Sequence, residues 1–316
     1  MRAGIVMRSG RQSSPDRTPA KGDPGDDTAR RYRYQWKYAA INCCMLLDKT
    51  QDVTGVFCEQ HEDVLLKHND GTFSGLQIKT RESNQDVWKT RDPSVLKACA
   101  RFADLENRFP GDFRSYRFLT NHLLHAAKNG QDLAYVLGEI REAATYQDVG
   151  GPPKTFLKKT AEKAECSEET AFEALSKTEA RDDLPKFGDA SARLVNTLTQ
   201  VWSGARDCSY PKVNQAANAL IDECGRASSL ESLDALPAYI SAGADPTGDK
   251  VQAQLEGKRI DRARLVEILD EGLQSKELLD GGHDGLVEPG KGTKRLLAEK
   301  LDAGGFSAVS VNSAED

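Results

Sequence analysis

Two runs rich in Val, Leu and Ile, residues 61–68 and 72–80, flank the tripeptide Asn69-Asp70-Gly71, and this arrangement restricts the local fold more than any other stretch of the chain. Alternating apolar residues closed by an Asn-Asp-Gly turn predict a β-hairpin. Successive side chains on a strand point to opposite faces, so Gln77 and Lys79 share one face of the second strand while Leu76, Ile78 and Thr80 share the other. An amide and an ammonium are thereby carried on a strand that is otherwise apolar. Burying them costs several kcal/mol unless partners meet them, and a facing carboxylate with a bound cation is a suitable partner.

Around the hairpin, apolar residues at helical spacing predict a first helix over residues 32–48, with Gln35 near its start. A strand at 53–58 precedes the hairpin, Asp92-Pro93 opens a helix that runs to about 109, and residues 113–120 form a further strand. The order helix, three strands, helix, strand suits a mixed α/β sheet flanked by helices. Beyond Asn121 the β signal fades, and helical patterns recur near 130–144, 154–164, 168–178, 190–204, 211–226, 248–256, 261–274 and 292–303. The expected organisation is a disordered tail over 1–29, an α/β domain over 30–150, a mostly α-helical region over 151–304 and a frayed end over 305–316, with Met7 an alternative start.

The formal charge of −6 argues against a polyanion-binding protein until it is divided along the chain. Residues 30–130 carry 16 Lys and Arg against 12 Asp and Glu, whereas residues 131–316 carry 22 against 33. The hairpin thus sits in the basic part, where binding to phosphate needs it. Seven scattered cysteines without a CxxC pair do not form a zinc pattern, and three fall on predicted apolar faces, where free Cys behaves as a small hydrophobe. No run approaches the roughly 20 apolar residues of a membrane span. A cytoplasmic protein without a membrane partner is expected.

Hydrolysis of a phosphodiester needs a divalent cation to polarise the phosphate and acidify a bound water. Mg²⁺ takes oxygen ligands and keeps several waters, and Mn²⁺ substitutes for it in such shells. Asp63 on one strand and the carbonyl oxygen of Gln77 on the next supply two such oxygens, and Lys79 on the same face can hold the attacking water or stabilise developing charge. Glu62 is less favoured, since alternation turns it away from the face that Asp63 occupies.

The spacing Asp63-x(13)-Gln77-x-Lys79 resembles the PD-(D/E)xK nuclease superfamily in the variant with Gln at the second acid. Gln35, Cys58-Glu59, the Asn-Asp-Gly turn, residues 75–81 (Gly-Leu-Gln-Ile-Lys-Thr-Arg) and the strand ending Phe118-Leu-Thr-Asn121 extend the match. Together they resemble the double-stranded DNA endonuclease domain of CD-NTase-associated (CBASS) effectors of anti-phage defence over residues 30–125. The resemblance implies Asp63 and Gln77 as ligands of Mg²⁺ or Mn²⁺, Lys79 as the catalytic lysine, and Gln35 or Glu59 as accessory groups. It also implies double-stranded DNA as substrate, activation by a cyclic oligonucleotide or a partner protein, and oligomerisation on activation. A cyclic-oligonucleotide sensor is not recognisable in residues 150–316, which leaves a shorter regulator, an oligomerisation module or an extension of the nuclease domain.

A non-catalytic binding or regulatory module with a nuclease-like fold is the competing reading. Arg81, Lys89 and Arg91, interleaved with Trp88, either follow a DNA backbone or form a solvated loop. His61 and His68 read as surface residues, and His122 with His125 lacks a third metal ligand nearby. The Gly290-Lys-Gly-Thr-Lys-Arg295 stretch lacks P-loop spacing.

Overall fold

The computed structural model describes residues 24–229 and 255–274, and the expected helix at 292–303, most of that at 248–256, and both chain ends lie outside them. Six strands form one sheet in the order β5-β4-β3-β2-β1-β6: β1 (Val53–Gln60), β2 (Glu62–His68), β3 (Phe73–Lys79), β4 (Phe113–Thr120), β5 (Thr178–Arg181) and β6 (Arg259–Ile260). β6, β1, β2 and β3 pair antiparallel, whereas β3, β4 and β5 are parallel. The hairpin forms as expected, with Gly71 at φ +88° and the Asp70 carboxylate accepting the backbone N–H of Thr72 at 2.9 Å.

Helices cover both faces. On one lie α1 (Pro24–Cys43), α6 (Ala190–Val201), α7 (Tyr210–Ser229) and α8 (Arg262–Gln274), whose Ala40, Leu194, Leu220 and Leu265 pack on Val56, Val64, Leu66, Leu76 and Ile78. On the other lie α2 (Pro93–Arg108), α3 (Leu133–Glu142), α4 (Gly151–Ala164) and α5 (Glu168–Ser176), packing on Leu65, Tyr116 and Phe118. Each fully buried Leu, Ile or Phe contributes about 1.5–3 kcal/mol. The alternation of β3 therefore sends Leu76 and Ile78 into the first layer and leaves Gly75, Gln77 and Lys79 facing the α2 side.

Three expectations are corrected here. The first helix spans Pro24–Cys43 and not 32–48, because a 3₁₀ turn over Cys44–Leu46 ends it. β5 and β6 were not foreseen: β5 reads Thr-Glu-Ala-Arg and β6 holds two residues, so neither carries a β-type pattern, and pairing to β4 and β1 alone defines them. His68 is buried and not at the surface, with its ring bonded to Ser74 Oγ (2.8 Å) and to Asp52 (3.2 Å), itself paired with Arg114. The cysteines behave as expected of free thiols, and Cys43, Cys58 and Cys224 meet in the core between α1, β1 and α7. Residues beyond 150 thus complete the sheet and both helical layers within a single compact unit.

Candidate functional site

Main-chain pairing between β2 and β3 runs from Lys67 opposite Phe73 to Val64 opposite Leu76 and stops there. One residue further, Asp63 Oδ2 accepts the backbone N–H of Ile78 at 2.7 Å, so a carboxylate continues the ladder in place of a carbonyl. That bond fixes Asp63 in the gap where the strands part. Oδ2 also lies 4.0 Å from Lys79 Nζ, while Oδ1 is left without a protein donor among the described residues. Lys79 is partly exposed and Asp63 nearly buried, which places the pair at the rim of the sheet.

Gln77 projects from β3 on the face shared with Lys79, buried, and its amide makes no hydrogen bond within the described residues. A carboxylate oxygen without a donor at the end of β2 and an unbonded amide on the neighbouring β3 are the types of oxygen donor that a Mg²⁺-type cation completes with water. No three His, Cys, Asp or Glu side chains converge on a point among the described residues.

The turn that delivers Asp63 is under strain. Gln60 pairs with Glu62 across a single residue, His61, and both Glu59 (φ +51°) and His61 (φ +64°) adopt the left-handed region without being glycine. Two cations from distant elements hold their carbonyls. Lys258 Nζ donates to Glu59 O at 2.5 Å, and Arg101 Nε of α2 donates to His61 O at 2.8 Å. β6 brings Lys258 there through its pairing with β1 and the Cys58 N–H bond to Lys258 O at 3.1 Å.

Glu62 departs from the alternation argument, because the strand leaves this turn twisted and Asp63 is drawn sideways to Ile78. The side chain of Glu62 lies over Gly75 and beside Tyr116, on the face of Gln77, where a Cβ on Gly75 would come 3.2 Å from Glu62 Cγ. It is fully buried with neither oxygen hydrogen-bonded. Burial pushes its carboxyl up to about 8 despite Arg101, and Asp63 adds to the rise. Burial likewise raises Glu59 to about 7, with Asp63 contributing and Lys258 opposing.

The remaining sequence candidates are dispersed. Gln35 is half-buried in α1 and makes no hydrogen bond to Asp63, Gln77 or Lys79. Arg81 is engaged: its guanidinium lies 3.5 Å over the Trp88 ring, bonds Asp92 at 3.0 Å and donates to Asp86 O at 2.7 Å. Trp88 in turn donates to Thr120, the β4 residue in register with Lys79, so Arg81 braces the loop under Lys79. Lys89 is half-buried, and Arg91 is exposed at a cleft of about 420 Å³ that Lys159 also lines. Arg101 and Lys258, which hold the turn, had no place in the sequence reading, and Glu62 was set aside there by alternation. Only Glu62 had a signal, its adjacency to Asp63.

A family model described as Cap4, dsDNA endonuclease domain, matches residues 23–228. No curated protein matches the chain. Among solved structures, the Moraxella osloensis Cap4 SAVED/CARF-domain containing receptor is 14% identical with a TM-score of 0.38, covering 62% of this chain and 43% of that one. The Acinetobacter baumannii Cap4 SAVED/CARF-domain containing receptor with the cyclic trinucleotide 2'3'3'-cAAA is 10% identical with a TM-score of 0.44, covering 76% and 44%. The chain thus spans less than half the length of these structures.

Proposed function

The chain belongs to the Cap4 double-stranded DNA endonuclease family, and from that premise we propose that it is a metal-dependent endonuclease hydrolysing phosphodiester bonds of double-stranded DNA in anti-phage defence. The observation that carries the reading is Lys79 Nζ standing 4.0 Å from Asp63 Oδ2 with unbonded Gln77 on the same face. Asp63 and Gln77 would hold Mg²⁺ or Mn²⁺, which would supply polarisation of the scissile phosphate and acidification of a water. Ile78 N–H orients the Asp63 carboxylate so that its other oxygen stays available. Lys79 orients the attacking water and offsets the charge that grows on phosphorus. Lys89, Arg91 and Lys159 contact the DNA backbone.

The protein acts in the cytoplasm, where double-stranded DNA would meet it. Among the described residues no helix is long and apolar enough to cross a membrane. A cyclic oligonucleotide or a partner protein gates cleavage, with oligomerisation on activation. The test is plasmid cleavage by the purified chain and its Lys79→Ala variant with Mg²⁺, Mn²⁺ or EDTA, with and without a panel of cyclic oligonucleotides. Lysine- and metal-dependent cleavage is the expected result. DNA retention without products under every condition would favour the non-catalytic module.

A further inference from the structure

Glu62 has no role in the site as built so far, yet its position is specific. Neither carboxylate oxygen has a hydrogen-bond donor, and the residue has no exposure to solvent. Among the described residues the cation at ion-pair range is Arg101, with Nε 3.8 Å from Oε1. The proton on that nitrogen is already donated to the carbonyl of His61, so Arg101 does not satisfy the carboxylate with it. A buried carboxylate left in this state costs several kcal/mol.

The surroundings accommodate it at their own expense. A turn with two left-handed residues aims Glu62 inward, and Gly75 leaves the space that a Cβ would crowd at 3.2 Å from both Glu62 Cγ and Tyr116 Cδ1. Gly75 stands two residues before Gln77 on the same face, so Glu62 lies one same-face position along β3 from the place where the usual pattern has its second acid. In this chain that position carries a neutral amide. The charge of Asp63 is meanwhile offset by Lys79. A divalent cation facing Asp63, Gln77 and Lys79 alone would meet almost no net negative charge, whereas Mg²⁺ and Mn²⁺ favour carboxylate oxygen.

We infer that Glu62 supplies the second carboxylate of the divalent-cation site, contributed from β2 in place of the acid that Gln77 replaces on β3. The inference rests on the metal-dependent reading above. It accounts for the absent donors, the strained turn and the glycine together, where an Arg101 ion pair accounts only for the charge.

The test is Mn²⁺ binding to the full 316-residue chain, followed by calorimetry and Mn²⁺ paramagnetic resonance, with thermal unfolding in EDTA as the control. Loss of a residue that merely supports a ligand costs about 10–100-fold in metal affinity, so Glu62→Gln should weaken Mn²⁺ by at least about tenfold. Unfolding of Glu62→Gln in EDTA at about pH 7.5 should occur no lower than in the wild type. If Asp63→Asn loses Mn²⁺ while Glu62→Gln binds like the wild type, the inference is overturned and the proposed function stands. If the wild type binds no Mn²⁺, both fall. Should Glu62→Gln not fold, Glu62→Asp, which keeps the charge but shortens its reach, takes its place: the same weakening supports the inference and unchanged affinity overturns it.

Discussion

Glu62→Gln also makes a quantitative prediction for the protein without metal. The folded-state pKa of Glu62, about 8, lies above its ordinary 4.5, so the native state holds its proton more tightly than the unfolded chain does. Stability from this group is therefore fully present below pH 4.5 and is lost as pH rises through 8. Between those limits one such carboxyl lowers the unfolding free energy by about 1.4 kcal/mol per pH unit. Glutamine is nearly isosteric and does not titrate. Its buried amide carries an unpaired cost of about 1–3 kcal/mol that does not depend on pH.

Urea unfolding in EDTA at several values from about pH 5.5 to about pH 7.5 should thus show Glu62→Gln gaining on the wild type by roughly 2–3 kcal/mol across the range, and no further above about pH 8.5. Glu59, raised to about 7, is present in both proteins and largely cancels in the difference. The intercept reports the amide and the slope reports the carboxyl. A difference that stays flat with pH would refute the reasoning, because it would mean that Glu62 ionises as freely in the fold as in the unfolded chain.

Lys79→Ala and Asp63→Asn should each lower metal-dependent plasmid cleavage by about 10²–10³-fold, with Tm held near wild type because Asn still accepts the Ile78 N–H. Lys258→Met removes the donor to the Glu59 carbonyl and should destabilise by about 1.5–3 kcal/mol in urea titrations while reducing cleavage, although the residue lies far from the hairpin in sequence. At Gly272 of α8 a Cβ would come 2.8 Å from the Ala216 Cα of α7, so Gly272→Ala should cost about 1–3 kcal/mol, read as a lowered urea midpoint. Unchanged midpoints for Lys258→Met and Gly272→Ala would show that residues beyond 255 do not brace the sheet.

The hairpin, α2 and the face shared by Gln77 and Lys79 could be read from the chain, since alternation, Asn-Asp-Gly and Asp92-Pro93 are local signals. What escaped depended on partners far away in sequence. Thr178–Arg181 is a strand because β4 offers it a parallel edge, not because of its residues. The alternation rule failed at Glu62 because it presumes a regular strand, whereas a one-residue turn precedes this one and Ile78 draws Asp63 aside. Arg81 looked available for phosphate, yet Asp92 and Trp88 occupy it, a pairing that only the folded loop reveals. Lys258 could not be foreseen, with 199 residues separating it from the carbonyl it holds.

That separation has a consequence for the order of events during synthesis. β1 is among the earliest strands to leave the ribosome, but its outer edge and the carbonyl of Glu59 wait for residues 258–260, at the far end of the described fold. Loop closure over such a span is slow compared with forming the hairpin. Until it happens, the strained turn lacks one of its two clasps and the acids behind it are not yet held. A nascent chain would therefore display the hairpin well before the turn that holds Glu62 and Asp63 was complete.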